Sequence, residues 1–208
     1  KWMNNAAITL DRTLLKNTSR ADWLEEAQYI QNHIDDATIE KAFSQLPSEV
    51  QGAVTEEIKQ KLRGRKGNLQ DIAGRYFDYY ARLGIVTGTD KDDIFEINRL
   101  PNGQTEIKVY RNKKGQKADL MAHRVFSKNE TREIWLYGLD DDDRFEASGS
   151  GGSKIKIRII GGQNNDVYDF DNGSRITVYD YKSLKNTIEK KKGAHLKLSD
   201  NYSNNTFE

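Results

Sequence analysis

The chain contains no cysteine, so disulfides and thiolate metal sites are both excluded. That absence suits the bacterial periplasm and the cytosol equally. No apolar run approaches the ~20 residues of a membrane-spanning helix, and no secretory signal is present. Charge of one sign is missing as well: 33 Lys and Arg face 32 Asp and Glu, for a net charge of +1. The balance is also local, with 12 basic and 12 acidic residues up to Val86 and 21 against 20 beyond it. Neither half reads as a nucleic-acid module or an acidic tail. No Walker loop, G-x-S-x-G elbow or dinucleotide fingerprint occurs. The histidines, His33, His123 and His195, are too far apart for a zinc pattern.

What is present divides by periodicity. From about position 21 to 83 apolar residues recur at helical spacing. Trp23, Ala27, Ile30 and Ile34 form one stripe behind a capping box of Ser19 and Asp22. Ile39, Phe43 and Leu46 form a second, ended by Pro47, and Val50, Val54, Ile58 and Leu62 a third. Leu69, Ile72, Tyr76, Tyr80 and Leu83 form a fourth, with Asn68 as its expected N-cap. The short connections predict a small helical bundle over residues 1–86. Lys59, Lys61, Arg63, Arg65 and Lys66 crowd one helix end, where cations suit the helix dipole; a phosphate or lipid headgroup is the rival reading. Among Tyr76, Phe77, Tyr79 and Tyr80, too many for one buried stripe, some are expected to dock against the other half.

After Gly84 alternation and β-branched residues take over. Strands are expected over 94–98, 106–111, 121–126, 133–137, 144–147, 154–160, 167–170 and 175–181. Asn102-Gly103 marks a tight hairpin, and 148–153 (SGSGGS) reads as a mobile loop within the sheet. The stretch 182–192 reads as a basic solvated surface, and 201–208 as a disordered tail. The fold class expected is α+β: a helical bundle, then an irregular, repeat-containing β domain over 87–200. Its strand-turn-strand units would stack as a β-roll or solenoid, or form a sandwich of hairpins.

Three stretches carry the repeat: VTGTDKDDIFEI, LYGLDDDDRFEA and IIGGQNNDVYDF. In each, a glycine (Gly88, Gly138, Gly161) is followed five residues later by an aspartate (Asp93, Asp143, Asp166). Two residues on stands an aromatic (Phe95, Phe145, Tyr168), then an acid. Glycine would allow positive φ at the strand exit. The acids would cap local backbone N–H groups, and stacked turns would bring the aromatics into one core. The third copy resembles the glycine-aspartate repeat of calcium-binding β-rolls, in which Asp carboxylates and carbonyls share Ca²⁺. The candidate ligands are Asp90, Asp92, Asp93, Asp140, Asp141, Asp143, Asn164 and Asp166. The spacings of 50 and 23 residues depart from tandem repeats, whereas the mutual repulsion of the four acids 140–143 favours a cation. Paired carboxylates could also serve a glycosidase, but in repeated turns a construction role is simpler.

With Lys61, Arg63 and Arg65, the Leu46-Pro47 turn, VTGTDKDDIFEI and EIWLYGLDDDDRFE through IKIRIIGGQNND, nearly the whole chain resembles the middle region of large bacterial outer-membrane-associated proteins. In that family an upstream module, often a calcineurin-like metallophosphoesterase, precedes this region and a surface-antigen-type β-barrel follows it. The resemblance implies a non-catalytic connecting domain at the periplasmic side of the outer membrane, with neighbouring domains of the same polypeptide as partners. The opening Lys1 and polar tail fit a segment of a longer protein. The metallophosphoesterase signature has no counterpart here, so the resemblance carries over no catalytic residue. A calcium- or glycan-binding module and an accessory part of a hydrolase are the rival expectations.

Overall fold

A computed structural model describes residues 8, 10–12, 14–152 and 155–206. The chain is α+β and divides into two compact units, residues 1–80 and 81–208. The helical unit contains α1 (Arg20–His33), α2 (Asp36–Ser44), α3 (Ala53–Gly67) and α4 (Leu69–Tyr80). The expected capping box opens α1: Ser19 Oγ accepts the Asp22 N–H, and Asp22 Oδ2 accepts the Ser19 N–H. Trp23 of α1 packs on Tyr76, Phe77 and Tyr80 of α4, with ring centroids 5.5, 6.0 and 5.6 Å away. Phe77 and Tyr80 are buried, Tyr76 donates to Asp11, and Tyr79 is exposed.

One reading of this unit needs correction. Helix α3 forms where its periodicity predicts, but Val54, Ile58 and Leu62 lie on its exposed side while Thr55 and Lys59 are buried. Periodicity identifies a helix face; it does not say which face meets a partner when polar groups are well satisfied. Thr55 Oγ1 donates to Val50 O at 2.6 Å, and Lys59 Nζ bridges Glu40 and Glu56 at 2.7 and 2.8 Å. Asn68 closes α3 as its C-cap, and its carbonyl starts α4 by accepting the Ile72 N–H.

The β unit contains β1 (Leu83–Thr87), β2 (Asp93–Arg99), β3 (Gln104–Lys113), β4 (Gln116–Ser127), β5 (Glu133–Leu139), β6 (Arg144–Ser148), β7 (Lys156–Gly162), β8 (Val167–Phe170), β9 (Ile176–Asp180), β10 (Thr187–Lys190) and β11 (His195–Leu198). They form a five-stranded sheet, β1-β5-β7-β9-β11, and a six-stranded one, β10-β8-β6-β2-β3-β4. The first is parallel throughout; in the second only the β2-β3-β4 meander is antiparallel. The chain therefore steps from one sheet to the other at each acidic turn, and returns to pair in parallel with the strand it left.

Alternation turns one side of every strand into a shared core. Val86, Leu136, Ile159 and Val178 stand in one row of the first sheet, and Phe95, Phe145 and Tyr168 in one row of the second. All seven are buried. Fully burying a side chain of this size contributes roughly 1.5–3 kcal/mol, so these rows contribute substantially to the stability of the unit.

Each predicted strand occurs within a few residues of its expected bounds, although Lys154, its expected start for one, lies outside the described residues. Three strands escaped the periodicity. Leu83 opens β1 rather than closing a helical stripe, β10 is exposed along its length, and β11 is short and basic. In the 148–153 loop, Gly151 donates to Arg99 O at 2.9 Å, and a Cβ at Gly149 or Gly151 would overlap the Arg99–Leu100 backbone. Close packing accounts for Gly149 and Gly151, whereas Gly152 has open space around it; Ser153 lies outside the described residues. Residues 202–204 form a 3-10 turn capped by Asn201, and Asn205 is buried with Nδ2 on Ser199 O at 2.7 Å. This short turn lies within the stretch 201–208 expected as a disordered tail; residues 207–208 lie outside the described residues.

Candidate functional site

The acidic turns stack. Phe95 lies face to face on Phe145 with centroids 4.6 Å apart, and Phe145 on Tyr168 at 5.5 Å. Just before these rings the backbone N–H of each aspartate donates to a side chain of the next turn. The Asp93 N–H donates to Asp143 Oδ1 at 2.8 Å, the Asp143 N–H to Asp166 Oδ1 at 2.9 Å, and the Asp166 N–H to Asn186 Oδ1 at 2.8 Å. A second ladder, one residue earlier and exposed, runs in the opposite sense. Asp142 donates its N–H back to Asp92 Oδ1 (3.3 Å), Asn165 to Asp142 Oδ1 (2.9 Å) and Lys185 to Asn165 Oδ1 (2.8 Å). Two rows of side-chain acceptors thus satisfy the N–H groups that the corner takes out of the sheets.

Asn186 belongs to a fourth turn, which sequence reading missed. Register places Asp180 at the step occupied by Gly88, Gly138 and Gly161. This turn carries Asp for Gly, Asn for Asp and Ile for the aromatic, and is one residue longer. The Tyr168 hydroxyl donates to Asp180 Oδ2 at 2.6 Å and lies 3.3 Å from Asp166 Oδ2. A tyrosine therefore stands where the earlier turns have phenylalanine because only there does the next turn supply an acceptor.

The glycines are needed for space and not, as expected, for positive φ. Positive φ falls one residue later, at Leu139 (89°) and Gly162 (111°), and again at Asp141 and Asn164. A Cβ on Gly138 would overlap Gly161 O and Asp143 Oδ2; on Gly88 it would come within 2.9 Å of Asp93 Oδ2, Gly138 O and the Phe95 ring. The glycines leave the room into which the inner carboxylates fold.

Stacking carboxyl groups out of water disfavours their charge. Burial first, then the neighbouring Asp166, pushes Asp143 up to about 9. Burial and Asp180 push Asp166 up to about 8, and burial raises Asp180. At neutral pH Asp143 and Asp166 therefore hold protons. Asp93, at the column's end, takes N–H and O–H donors from Thr89 at 2.6 and 2.9 Å and pairs with Arg111 at 3.1 Å.

The candidate calcium ligands are accordingly spread over two rows. Asp93, Asp143 and Asp166 face inward, and Asp92 lies in the outer ladder. Asp140 accepts from Asn164 Nδ2 at 3.1 Å, Asp141 pairs with Lys91 at 3.5 Å, and Asp90 is exposed. Among the described residues no three acidic or histidine side chains converge on a point that could hold a metal ion. Three of the five bases in the α3 run are engaged in ion pairs: Lys59 with Glu40 and Glu56, Lys61 with Glu57, Arg63 with Asp36 and Glu40. His33 stacks on Tyr29, His123 meets Glu106 at 2.8 Å, and His195 is exposed.

Two features of the β unit had no sequence signal. Arg99 is buried at the opposite corner, donating to Thr105 Oγ1, Ile155 O and Ser174 O at 3.1, 3.3 and 3.1 Å. Arg158 lies between two aromatic rings on the outer side of the parallel sheet. No helix among the described residues is long and apolar enough to cross a membrane. Comparison of the chain with protein-family models, curated proteins and solved structures gives no match.

Proposed function

We propose that residues 81–208 form a two-sheet β-solenoid serving as a non-catalytic connecting domain, which spaces and orients neighbouring modules of a larger outer-membrane-associated protein. The observation that carries this reading is the inner ladder of Asp93, Asp143, Asp166 and Asn186. Side chains that an enzyme would aim at a substrate are here buried and accept backbone N–H groups from an adjacent turn. A stack of parallel strands joined by such corners is stiff and extends by repetition, which suits a spacer. The periplasmic setting and the partner modules rest on the resemblance of the repeated turns to that family.

The test is turnover by the full chain on phosphoester, carboxylic ester and glycoside substrates, beside the Asp143→Asn variant. The spacer reading expects no turnover from either protein. Turnover by the parent chain that Asp143→Asn abolishes would overturn it in favour of a hydrolase.

A further inference from the structure

The two outer sheet faces are built differently. On the six-stranded sheet, acids and bases cancel: Arg144 bonds Glu146, Asp169 and Glu189, Lys117 bonds Glu96 and Glu146, and Lys190 bonds Asp169 and Asp171. On the parallel sheet, register sets Trp135, Arg158, Thr177 and His195 in one outward row, and Tyr137, Ile160, Tyr179 and Lys197 in the next, of which Tyr137 and Ile160 are buried. Lys156, Arg158 and Lys197 there face a single acid, Glu133.

Arg158 is held by three neighbours. Its guanidinium lies 5.4 Å from the Trp135 ring and 5.8 Å from the Tyr179 ring, and its Nε donates to Glu133 Oε1. Trp135 Nε1 donates to the same oxygen at 2.6 Å and so fixes the acceptor. Its two terminal nitrogens have no hydrogen-bond partner among the described residues, and the side chain is 33% exposed. Lys197 Nζ lies over the Tyr179 ring at 5.4 Å. A guanidinium with its plane fixed and its fork open has already lost the freedom that bidentate oxyanion binding would otherwise cost.

We propose that this face binds an acidic polysaccharide, with Arg158 taking a uronate carboxylate through its two terminal nitrogens. Lys156 and Lys197, on either side along the sheet, meet further charges of the same polymer. Trp135 and Tyr179 present ring edges and apolar surface to the sugar. The cation excess selects an anionic chain over a neutral one, and the fork selects a planar carboxylate over a point charge.

The experiment titrates the full chain by calorimetry with polygalacturonate, with dextran sulfate and with neutral dextran. The variants are Arg158→Met, Arg158→Lys and, on the opposite face, Lys190→Met. We expect polygalacturonate to bind more tightly than dextran sulfate, and neutral dextran not at all. Losing a bidentate charged pair should weaken binding about tenfold or more in Arg158→Met and several-fold in Arg158→Lys, with Lys190→Met within about twofold of the parent. Circular dichroism of each variant checks that the fold is kept. No binding by the parent, equal losses for Arg158→Met and Lys190→Met, binding of neutral dextran, or tighter binding of dextran sulfate would each overturn the proposal.

Discussion

Asn186 accepts the Asp166 N–H through Oδ1 at 2.8 Å, in the same way that Asp166 Oδ1 accepts the Asp143 N–H at 2.9 Å. An amide and a carboxyl group thus do the same work at successive steps of one ladder. With Asp143 and Asp166 holding protons at neutral pH, the amide is also close to isosteric with the form of the acid that the fold selects.

Asp143→Asn should therefore leave stability within about 1 kcal/mol of the parent, whereas Asp143→Ala, which strands the Asp93 N–H, should cost roughly 1–3 kcal/mol. Urea unfolding of both variants checks this. Equal and large losses would show that the charge, and not the acceptor, is what the turn needs.

Stability should fall as pH rises from about 5 to about 8, opposite to ordinary acid denaturation. Asp143 and Asp166 titrate near 9 and 8 in the fold, against ~3.9 in an unfolded chain. Below about pH 4 both states hold the protons and the fold bears no penalty. Above it the unfolded state ionises first and is favoured until the folded groups ionise in turn. Melting temperature at the two pH values measures the sign, and a higher value at about pH 8 would contradict the buried column.

Glycine positions separate crowding from conformation. Gly138→Ala should cost at least about 1–3 kcal/mol, because the added carbon meets Gly161 O and Asp143 Oδ2. Gly64→Ala, on α3 with open space around it, should stabilise by up to about 1 kcal/mol. Thermal melts of the pair check the contrast; a tolerated Gly138→Ala would remove the steric account of the repeat.

The contrast also marks how far sequence reasoning reaches. The spacing from glycine to aspartate to aromatic is local, so the sequence alone places Phe95, Phe145 and Tyr168 in one core. Which turn accepts which N–H is not local, because Asp143 and Asp166 are joined only once their strands lie side by side. The fourth turn was hidden for the same reason: Asp180 and Asn186 suit their steps through register, while their residue types break the pattern. On α3, a stripe of Val54, Ile58 and Leu62 revealed the helix but not that Lys59 and Thr55 turn inward. Arg99 and Arg158 carry no spacing signal, since each draws its contacts from several strands.

Removing Arg99 tests the other corner of the unit. Its guanidinium is desolvated, which pulls it down to about 10, and it spans Thr105, Ile155 and Ser174. Arg99→Ala should destabilise the β unit by about 3 kcal/mol, through orphaned carbonyls and an unfilled volume. Denaturant titration followed through the tryptophans reads this, and a loss below about 1 kcal/mol would mean that water replaces the side chain.

Calcium should leave the protein unchanged. The spacer account expects no shift in melting temperature between excess calcium and excess chelator, because the inner carboxyls already face backbone donors. A rise of several degrees with calcium would move Asp90, Asp92, Asp140 and Asp141 from a solvated rim to a binding site.

The central claim, that the acidic glycine turns are construction elements locked to one another, is tested most directly by hydrogen exchange at the amides of Asp93, Asp143 and Asp166. The ladder predicts protection equal to that of the core strands β5 and β7, reached only through opening of the whole β unit. Exchange at the rate of an exposed loop amide such as that of Lys114 would contradict it.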